Sequence, residues 1–221
     1  MNEQLKKELI TQVDKVCAHK HTGDVFEDLV WLKAFEYRSQ ALGLLIQNES
    51  KILEEVEKTK KEINGIKTQY TKDEFKKLQT CMSLLDRCYQ NMGFCDLIGE
   101  LSTMIGMLNK STGQFFTPYH IARLMAEITG IGTSNEEDHR SMMDPHCGAG
   151  TMLVAYADTM QRHGIPLEET FYTGADIDRF CVVMTYVQLC EFGLAGVVHW
   201  SDSIKNEIWE SWFTPAALRT S

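Results

Sequence analysis

The chain contains 221 residues, of which 43% are hydrophobic, 24% are charged and only four are proline. This composition is typical of a folded globular protein and excludes extensive disorder or a collagen-like chain. No run approaches about 18 uninterrupted apolar residues, so no membrane span is predicted. Seven cysteines, together with an N-terminus that lacks an apolar signal region, predict free thiols in a reducing cytoplasm.

The charge is distributed unevenly along the chain. Residues 1–110 carry 16 Lys and Arg against 17 Asp and Glu, whereas residues 111–221 carry 6 against 14, within a net charge of −9. A surface that binds a phosphate backbone by electrostatics is basic, so any contact of the second half with DNA is expected to be local or assisted by a partner. The same change in composition predicts two domains, 1–110 and 111–221.

The first domain is predicted to be helical. Apolar residues from Ile52 to Tyr70 recur at steps of three and four, which is the spacing of one buried face on a helix. Thr71 and Glu74 fit the capping box that begins a new helix, so a pair of antiparallel helices is predicted to meet there. An earlier helix is predicted within residues 25–47.

Two groups of possible metal ligands in this domain are weak candidates. Cys81, Cys88 and Cys95 are spaced two helical turns apart, too far to share one ion, so they are predicted to be buried core residues. The H-x-H pair at residues 19–21, beside Cys17, is predicted to be a surface feature. The sequence therefore predicts no metal site.

The second domain alternates short apolar strands with helices. Strands are predicted at 141–144, 171–176 and 197–200, with helices at 151–160 and 178–194 between them. This alternation is typical of parallel βαβ units. The predicted fold is α/β, with a helical N-terminal domain followed by a Rossmann-like parallel sheet.

A further helix is predicted just before the first strand. Pro118 suits the first turn of a helix, and Thr117 can accept the capping hydrogen bond. Apolar residues within 121–128 then form one face of that helix.

Glycines and acids follow the predicted strands. Gly148 and Gly150 occupy the turn from the first strand into a helix, where glycine allows close approach of a ligand and the helix N-terminus favours a carboxylate or phosphate. Asp176 ends the second strand, where it can accept hydrogen bonds from a ribose. These residues predict a pocket for a molecule with a ribose and an anionic group; the alternative is a tight turn without a ligand. Leu153 replaces the third glycine of a dinucleotide fingerprint, and no lysine follows the turn, so NAD and a P-loop are disfavoured.

Four segments resemble, in this order, the motifs of DNA adenine-N6 methyltransferases, and especially those of the modification subunits of type I restriction systems. Residues 113–118 are similar to the family's G-x-F-x-T-P, and Asp144–Gly150 to its D-P-x-C-G-x-G. Gly174–Asp178 resembles the ribose-binding turn, and 201–203 the G-D-S segment. The resemblance covers about residues 90–205 and implies a partial class I methyltransferase sheet that binds S-adenosyl-L-methionine (AdoMet).

The resemblance also implies a role for the residues near the methionine end of AdoMet. Phe115 and Thr117 would border that end of the cofactor. Asp144 would organise its ammonium group through water or the loop, and Pro145 belongs to the same motif. The amides around Gly148 would receive the carboxylate.

Three acids are candidates for the nucleoside end. Asp176 would bind the ribose hydroxyl groups. Asp178 is the less favoured candidate for that role, because it is expected to cap the following helix. Asp202 would meet the adenine amine of the cofactor.

One motif of the family is missing from the sequence. The family presents a flipped adenine to an N-P-P-Y/F loop, in which the Asn side chain and a proline carbonyl accept the hydrogens of the amine. No two prolines are adjacent in this chain, so no catalytic residue is assigned. Trp209 or Trp212 could stack on a base, but the favoured interpretation is that both are helix residues that cover the sheet.

The predicted sheet has an open edge. In the family the sheet order is 3-2-1-4-5-7-6, so the first strand is central, whereas here the chain stops soon after its third strand. The unpaired edge is expected to be covered by residues 204–218, by a second copy or by another protein, and association is predicted.

Three functions remain open at this point. The first is a DNA adenine methyltransferase whose catalytic loop is divergent or comes from a partner. The second is an AdoMet-binding protein without methyl transfer, such as a regulatory or anti-restriction protein. The third is a helical interaction module on a vestigial scaffold. AdoMet binding would separate the third function from the others, and transfer of a labelled methyl group would separate the first from the second.

Overall fold

The computed structural model describes residues 2–45, 50–107, 116–129 and 140–219. Eight α-helices lie within these residues: α1 (Asn2–Asp14), α2 (Thr22–Leu45), α3 (Ser50–Lys67), α4 (Lys72–Met92), α5 (Leu97–Ile105), α6 (Tyr119–Ile128), α7 (Thr151–Arg162) and α8 (Arg179–Glu191). The described part also contains four strands: β1 (Arg140–Asp144), β2 (Thr170–Asp176), β3 (Gly196–Asp202) and β4 (Glu207–Phe213).

The predicted start of α4 is confirmed by its capping box. The Thr71 hydroxyl accepts a hydrogen bond from the Glu74 amide, and the Glu74 carboxylate accepts one from the Thr71 amide. However, α3 packs mainly against α2, and α4 packs mainly against α1. The apolar faces of α3 and α4 are thus buried mainly against different helices, and the antiparallel arrangement of the two helices that meet near Thr71 stays a prediction.

The first three strands are parallel, as the alternation of strands and helices predicted. The sheet order is β1-β2-β3-β4, with β4 antiparallel to β3. Helix α7 follows β1 and packs on it, and α8 packs on β2 and β3. This connectivity brings the carboxyl ends of β1, β2 and β3 to the same end of the sheet, which we call the carboxyl edge.

Strand β4 was not predicted from the sequence, and the expectation that Trp209 and Trp212 are helix residues is wrong, because both lie in this strand. The position of β4 also corrects one of the three expected covers of β1. The strand pairs with β3, so it lies at the opposite edge from β1, and the expected cover of β1 by residues 204–218 is wrong. Trp212 holds β4 in place, since its buried ring packs against Trp31, Phe35 and Tyr186. Among the described residues, β1 has a strand neighbour on one side only.

Buried residues of the helical half and of the sheet form one continuous hydrophobic cluster. Helix α2 packs directly against α8, and beside this contact the buried Lys33 ammonium lies 2.7 Å from Asp86 Oδ1 and 3.5 Å from Glu191 Oε1. The two halves thus share a core, and the domain boundary at residue 110 stays a prediction that falls outside the described residues.

Local details confirm one prediction and correct another. Cys81, Cys88 and Cys95 are buried free thiols, as expected of core residues. Helix α6 begins at Tyr119 with Pro118 itself at the cap position and no capping side chain, so the predicted cap by Thr117 is wrong. None of the described helices is both long and apolar enough to cross a bilayer.

Candidate functional site

Loops at the carboxyl edge of the sheet converge. Asp144 lies opposite Gly174 in the register of β1 and β2, and Asp176 lies opposite Trp200 in the register of β2 and β3. The Ser203 hydroxyl, after β3, donates a hydrogen bond of 2.7 Å to the carbonyl of Pro145, after β1. The loop after β3 therefore contacts the loop after β1.

The turn between β1 and α7 requires its two glycines. Gly148 has φ +53° and Gly150 has φ +90°, a left-handed conformation that side chains other than glycine rarely adopt. A Cβ on Gly150 would lie only 3.0–3.2 Å from atoms of Thr185, and one on Gly148 would lie 3.4 Å from the Phe116 ring. Close packing as well as backbone conformation thus favours glycine here.

Buried polar side chains support this turn from beneath. Asp96 accepts hydrogen bonds from the Gly99 amide (2.9 Å), the Gln188 side chain (2.8 Å) and the Thr151 hydroxyl (2.6 Å). Gln188 also donates to the carbonyl of Ala149 at 2.6 Å. Burial raises the pKa of Asp96, and its hydrogen bonds to Thr151, Gln188 and Gly99 oppose that rise. Helix α5 and helix α8 are thereby joined to the first residue of α7.

Sequence reasoning missed Asp96 and Gln188 as supports of the site. The available signal was an aspartate directly before an apolar helix, which predicts a cap but does not identify Gln188, 92 residues away, as a partner. Thr185, also missed, donates a hydrogen bond of 2.9 Å to the Gly148 carbonyl. Cys147 is a buried residue of the turn, as the sequence predicted, and burial raises the pKa of its thiol.

Asp176 joins the end of β2 to the glycine turn. Its carboxylate accepts hydrogen bonds from the amides of Gly148 and Asp178, both at 2.9 Å. Burial raises the pKa of Asp176, and these two amides oppose the rise. Asp178 caps α8 by accepting from the Phe180 amide at 2.9 Å, which confirms its expected capping role.

Two further acids of the site shape their own loops. Asp144 accepts a hydrogen bond of 3.0 Å from the His146 amide. Asp202 accepts two, each of 3.0 Å, from the amides of Ile204 and Lys205. The Lys205 amide makes the largest contribution to holding the pKa of Asp202 below its usual value. Both carboxylates thus organise turns at the strand ends.

The segment before α6 approaches the glycine turn through Phe116. Phe115, the residue predicted from the resemblance, lies outside the described residues. Thr117 borders a cavity of about 540 Å³ lined by α1, α5 and residues 116–120, and none of the strand-end acids lines this cavity. The structure therefore places Phe116 against the turn, and both Phe116 and Thr117 line the neighbouring cavity.

The groups at the carboxyl edge have the chemistry to bind a nucleoside that carries both signs of charge. The first amides of α7 have no acceptor within their own helix, so they suit a carboxylate. Asp144, Asp176 and Asp202 place negative charge around the same edge, which disfavours a ligand with several phosphates and favours one with a cationic group. AdoMet, with a carboxylate, an ammonium, a sulfonium and a ribose, fits this set of groups.

Parallel strand–helix units, a glycine turn after the first strand and an acid after the second define a Rossmann-like α/β fold. The sequence model of the family described as N-6 DNA Methylase matches residues 100–214, and the chain belongs to this family. The matched region begins in α5 and extends past the end of β4.

Individual proteins show similarity to parts of this chain. The methylase subunit of a type I restriction enzyme from Methanocaldococcus jannaschii is 26% identical over 110 residues, which cover 50% of this chain and 18% of that protein. The chain therefore matches less than a fifth of the length of this curated relative.

Solved structures are similar at lower sequence identity. One is the methyltransferase subunit of a type I restriction-modification system from Streptococcus thermophilus, with 14% identity, a TM-score of 0.47 and coverage of 95% of this chain and 60% of the other. Another is a putative class I S-adenosylmethionine-dependent methyltransferase from Listeria monocytogenes, with 14% identity, a TM-score of 0.46 and coverage of 88% and 52%.

Proposed function

We propose that this chain binds AdoMet at the carboxyl edge of its sheet and acts as the cofactor-binding part of a DNA adenine-N6 methyltransferase of the restriction-modification type. The observation that carries this proposal is the hydrogen bond from the Gly148 amide to Asp176. This bond joins the glycine turn and the acid of the next strand into one site, which is the arrangement that a ribose with an anionic group requires.

Each part of the cofactor has a proposed partner. The amides of the first turn of α7, which follow Gly148 and Gly150 in the loop that Asp144 and Pro145 begin, bind the carboxylate of AdoMet. Asp176 binds the ribose hydroxyl groups with the acceptor capacity that its two amide bonds leave available.

The remaining cofactor contacts come from two other segments. Asp202 is proposed to meet the adenine amine, and Phe115 and Thr117 to border the methionine end. When bound, AdoMet supplies the methyl group that is transferred.

Methyl transfer to DNA is proposed to need a partner chain. The sequence has no adjacent prolines, so it offers no N-P-P-Y/F loop to hold the adenine amine. Residues 111–221 are also strongly acidic, which weakens direct electrostatic binding to DNA phosphates. A protein partner or a second copy that pairs with the free side of β1 would extend the sheet where the described residues leave it open.

The proposed setting is a reducing cytoplasm, where DNA and restriction-modification subunits are present. All seven cysteines are free thiols, and six of them lie buried in the shared core, at positions 17, 81, 88, 95, 147 and 181. This state is typical of proteins outside oxidising compartments.

Calorimetry tests cofactor binding directly. Titration of the chain with AdoMet should give saturable binding, and Asp176→Ala should weaken the affinity at least about tenfold, because a hydrogen bond to a charged group contributes about 1.5–3 kcal/mol. Glu168→Ala is the matched control, since it removes an exposed acid just before the opposite end of the same strand. Equal affinity of Asp176→Ala and the unaltered chain would refute the ribose assignment, and no binding at saturating AdoMet would refute the proposal as a whole.

The second candidate function is AdoMet binding without methyl transfer, and the missing proline pair is the observation that favours it. A single assay distinguishes the two functions. Transfer of labelled methyl groups from AdoMet to adenine-containing DNA, measured with and without candidate restriction-modification subunits, should occur only when the partner is present. Cofactor binding without transfer under every condition would favour the regulatory function.

A further inference from the structure

The turn between α1 and α2 lies against the start of α4 and brings three potential metal ligands together. Cys17 Sγ is 3.2 Å from Nδ1 and 3.3 Å from Nε2 of His19, and His19 Nδ1 is 3.9 Å from Oε1 of Glu74. One ligand atom from each residue lies within 4.8 Å of the other two. The three side chains thus surround a space of the size of one ion.

The capping box of α4 holds Glu74 in position for this role. Its Oε2 atom accepts hydrogen bonds from the amide and the hydroxyl of Thr71, both at 2.8 Å. Oε1 is the oxygen that faces His19. One carboxylate oxygen is therefore used to fix the side chain, while the other is directed at the cluster.

The turn itself is also held against α4. Lys77 donates a hydrogen bond of 3.3 Å to the carbonyl of Lys15, two residues before Cys17. Cys17 is only 3% exposed, whereas the side chain of His19 is 66% exposed and has room to rotate. A fixed thiol and a fixed carboxylate thus flank an imidazole that can turn towards either of them.

We propose that Cys17, His19 and Glu74 form a binding site for Zn²⁺ or a similar divalent transition metal, with a water molecule as the fourth ligand. A thiolate, an imidazole and a carboxylate form a ligand set that suits Zn²⁺, whereas Mg²⁺ and Ca²⁺ prefer oxygen atoms alone. Ligand atoms around tetrahedral Zn²⁺ lie roughly 3.3–3.6 Å apart, given its bond lengths. The observed separations fall on both sides of that range, so a rotation of the exposed His19 ring completes the site.

The role of the ion would be structural. It would connect the α1–α2 turn to the first turn of α4, next to the packing of α1 against α4. The sequence did not predict this site, because only the fold brings Glu74, from a distant part of the chain, beside Cys17 and His19. The site is remote in sequence from the proposed AdoMet residues and does not depend on that function.

Cobalt provides a spectroscopic test on the full chain. Co²⁺ added to metal-free protein should produce a thiolate-to-metal charge-transfer band, and Zn²⁺ should displace the Co²⁺ and abolish the band. Cys17→Ser should remove the band. His19→Ala and Glu74→Gln should weaken Zn²⁺ binding by at least about tenfold. Glu74→Gln is chosen because Gln also completes a capping box, so the start of α4 is preserved.

Two variants serve as matched controls. His21→Ala removes the other histidine of the pair, and Cys190→Ser removes a partly buried thiol elsewhere, and both should bind Co²⁺ as the unaltered chain does. Added Zn²⁺ should also raise the melting temperature of the unaltered chain but not that of Cys17→Ser. The proposal fails if no charge-transfer band forms, if the band persists in Cys17→Ser, or if His21→Ala weakens binding as much as His19→Ala.

Discussion

Carboxylates act differently in the helical half and at the carboxyl edge of the sheet. Between helices, acids pair mainly with lysine and arginine side chains, as Glu36 and Asp86 do with the buried Lys33. At the strand ends, Asp144, Asp176 and Asp202 each accept hydrogen bonds from backbone amides of the loops.

This difference explains part of the uneven charge along the chain. Acids that pair with lysine and arginine leave the helical half nearly balanced, whereas the strand-end acids bind backbone amides, and Asp202 also pairs with Lys205 at 3.3 Å. Part of the excess negative charge of residues 111–221 therefore belongs to loop-forming carboxylates around the proposed site. Acidic composition here reflects how the loops are built.

The largest effect on stability is expected at Asp96, which tests the comparison between acids that bind amides and acids that pair with cations. This carboxylate of the helical half binds an amide and also supports α7. Asp96→Ala removes the acceptor of the Gly99, Thr151 and Gln188 donors. We expect the free energy of unfolding to fall by about 4 kcal/mol, because each unsatisfied buried donor costs about 1–3 kcal/mol. Urea denaturation measures this loss. Asp96→Asn retains an oxygen acceptor, so its free energy of unfolding should fall by roughly half as much. Equal losses in the two variants would show that the hydrogen bonds to Asp96 do not account for the loss of stability.

The glycine turn offers a test confined to the carboxyl edge. Gly150→Ala places a side chain at φ +90° and within 3.2 Å of Thr185 atoms, so unfolding free energy should fall by about 3 kcal/mol from backbone strain and overpacking together. Gly193→Ala is the control, since Gly193 also has positive φ but has no atom within 4 Å of the added Cβ. Its free energy of unfolding, measured by urea denaturation, should fall by about 1 kcal/mol. If both variants lose the same amount, close packing against Thr185 does not matter.

The smallest expected effect on stability concerns Glu210, an acid of β4 that pairs with basic side chains of α2, α3 and α8. Its carboxylate lies 2.9 Å from Lys58, 3.1 Å from Arg38 and 3.2 Å from Arg179. Glu210→Gln should lower the free energy of unfolding at pH 7 by about 2 kcal/mol, between the values typical of exposed and of buried pairs. Glu207→Gln, at an exposed position on the same strand, should change it by less than about 0.5 kcal/mol.

The pH dependence of Glu210→Gln gives a second measurement. Burial acts to raise the pKa of Glu210, but Lys58, Arg38 and Arg179 hold it below its usual value. A lowered pKa in the folded state means that the stabilisation is fully present above about pH 4.3, the unfolded value, and is lost as pH falls through the folded pKa. The difference between the variant and the unaltered chain should therefore shrink in acid; a constant difference from pH 7 to pH 3 would contradict the ionic explanation.

Much of the fold was predictable because the signals are local. The capping box at Thr71, the three parallel strands, the glycines of the turn and the cap at Asp178 each depend on residues close together in sequence. Strand β4 was not predicted, because its alternation of Trp, Glu and Ser gives an apolar face only once Trp212 meets α2 and α8. The packing of α3 on α2 was also not predicted, because an amphipathic pattern shows which face of a helix is buried but not which element covers it.

The sequence by itself determined the three parallel strands and the helices between them, the conformation of the glycine turn and the family to which the chain belongs, because each of these follows from short-range sterics, periodicity and motif spacing. The tertiary structure alone decided which distant side chains meet: Asp96 with Gln188, Glu210 with Arg38, and Cys17 with Glu74. Such pairs depend on how whole elements pack, and packing is fixed by the shared core rather than by any local pattern.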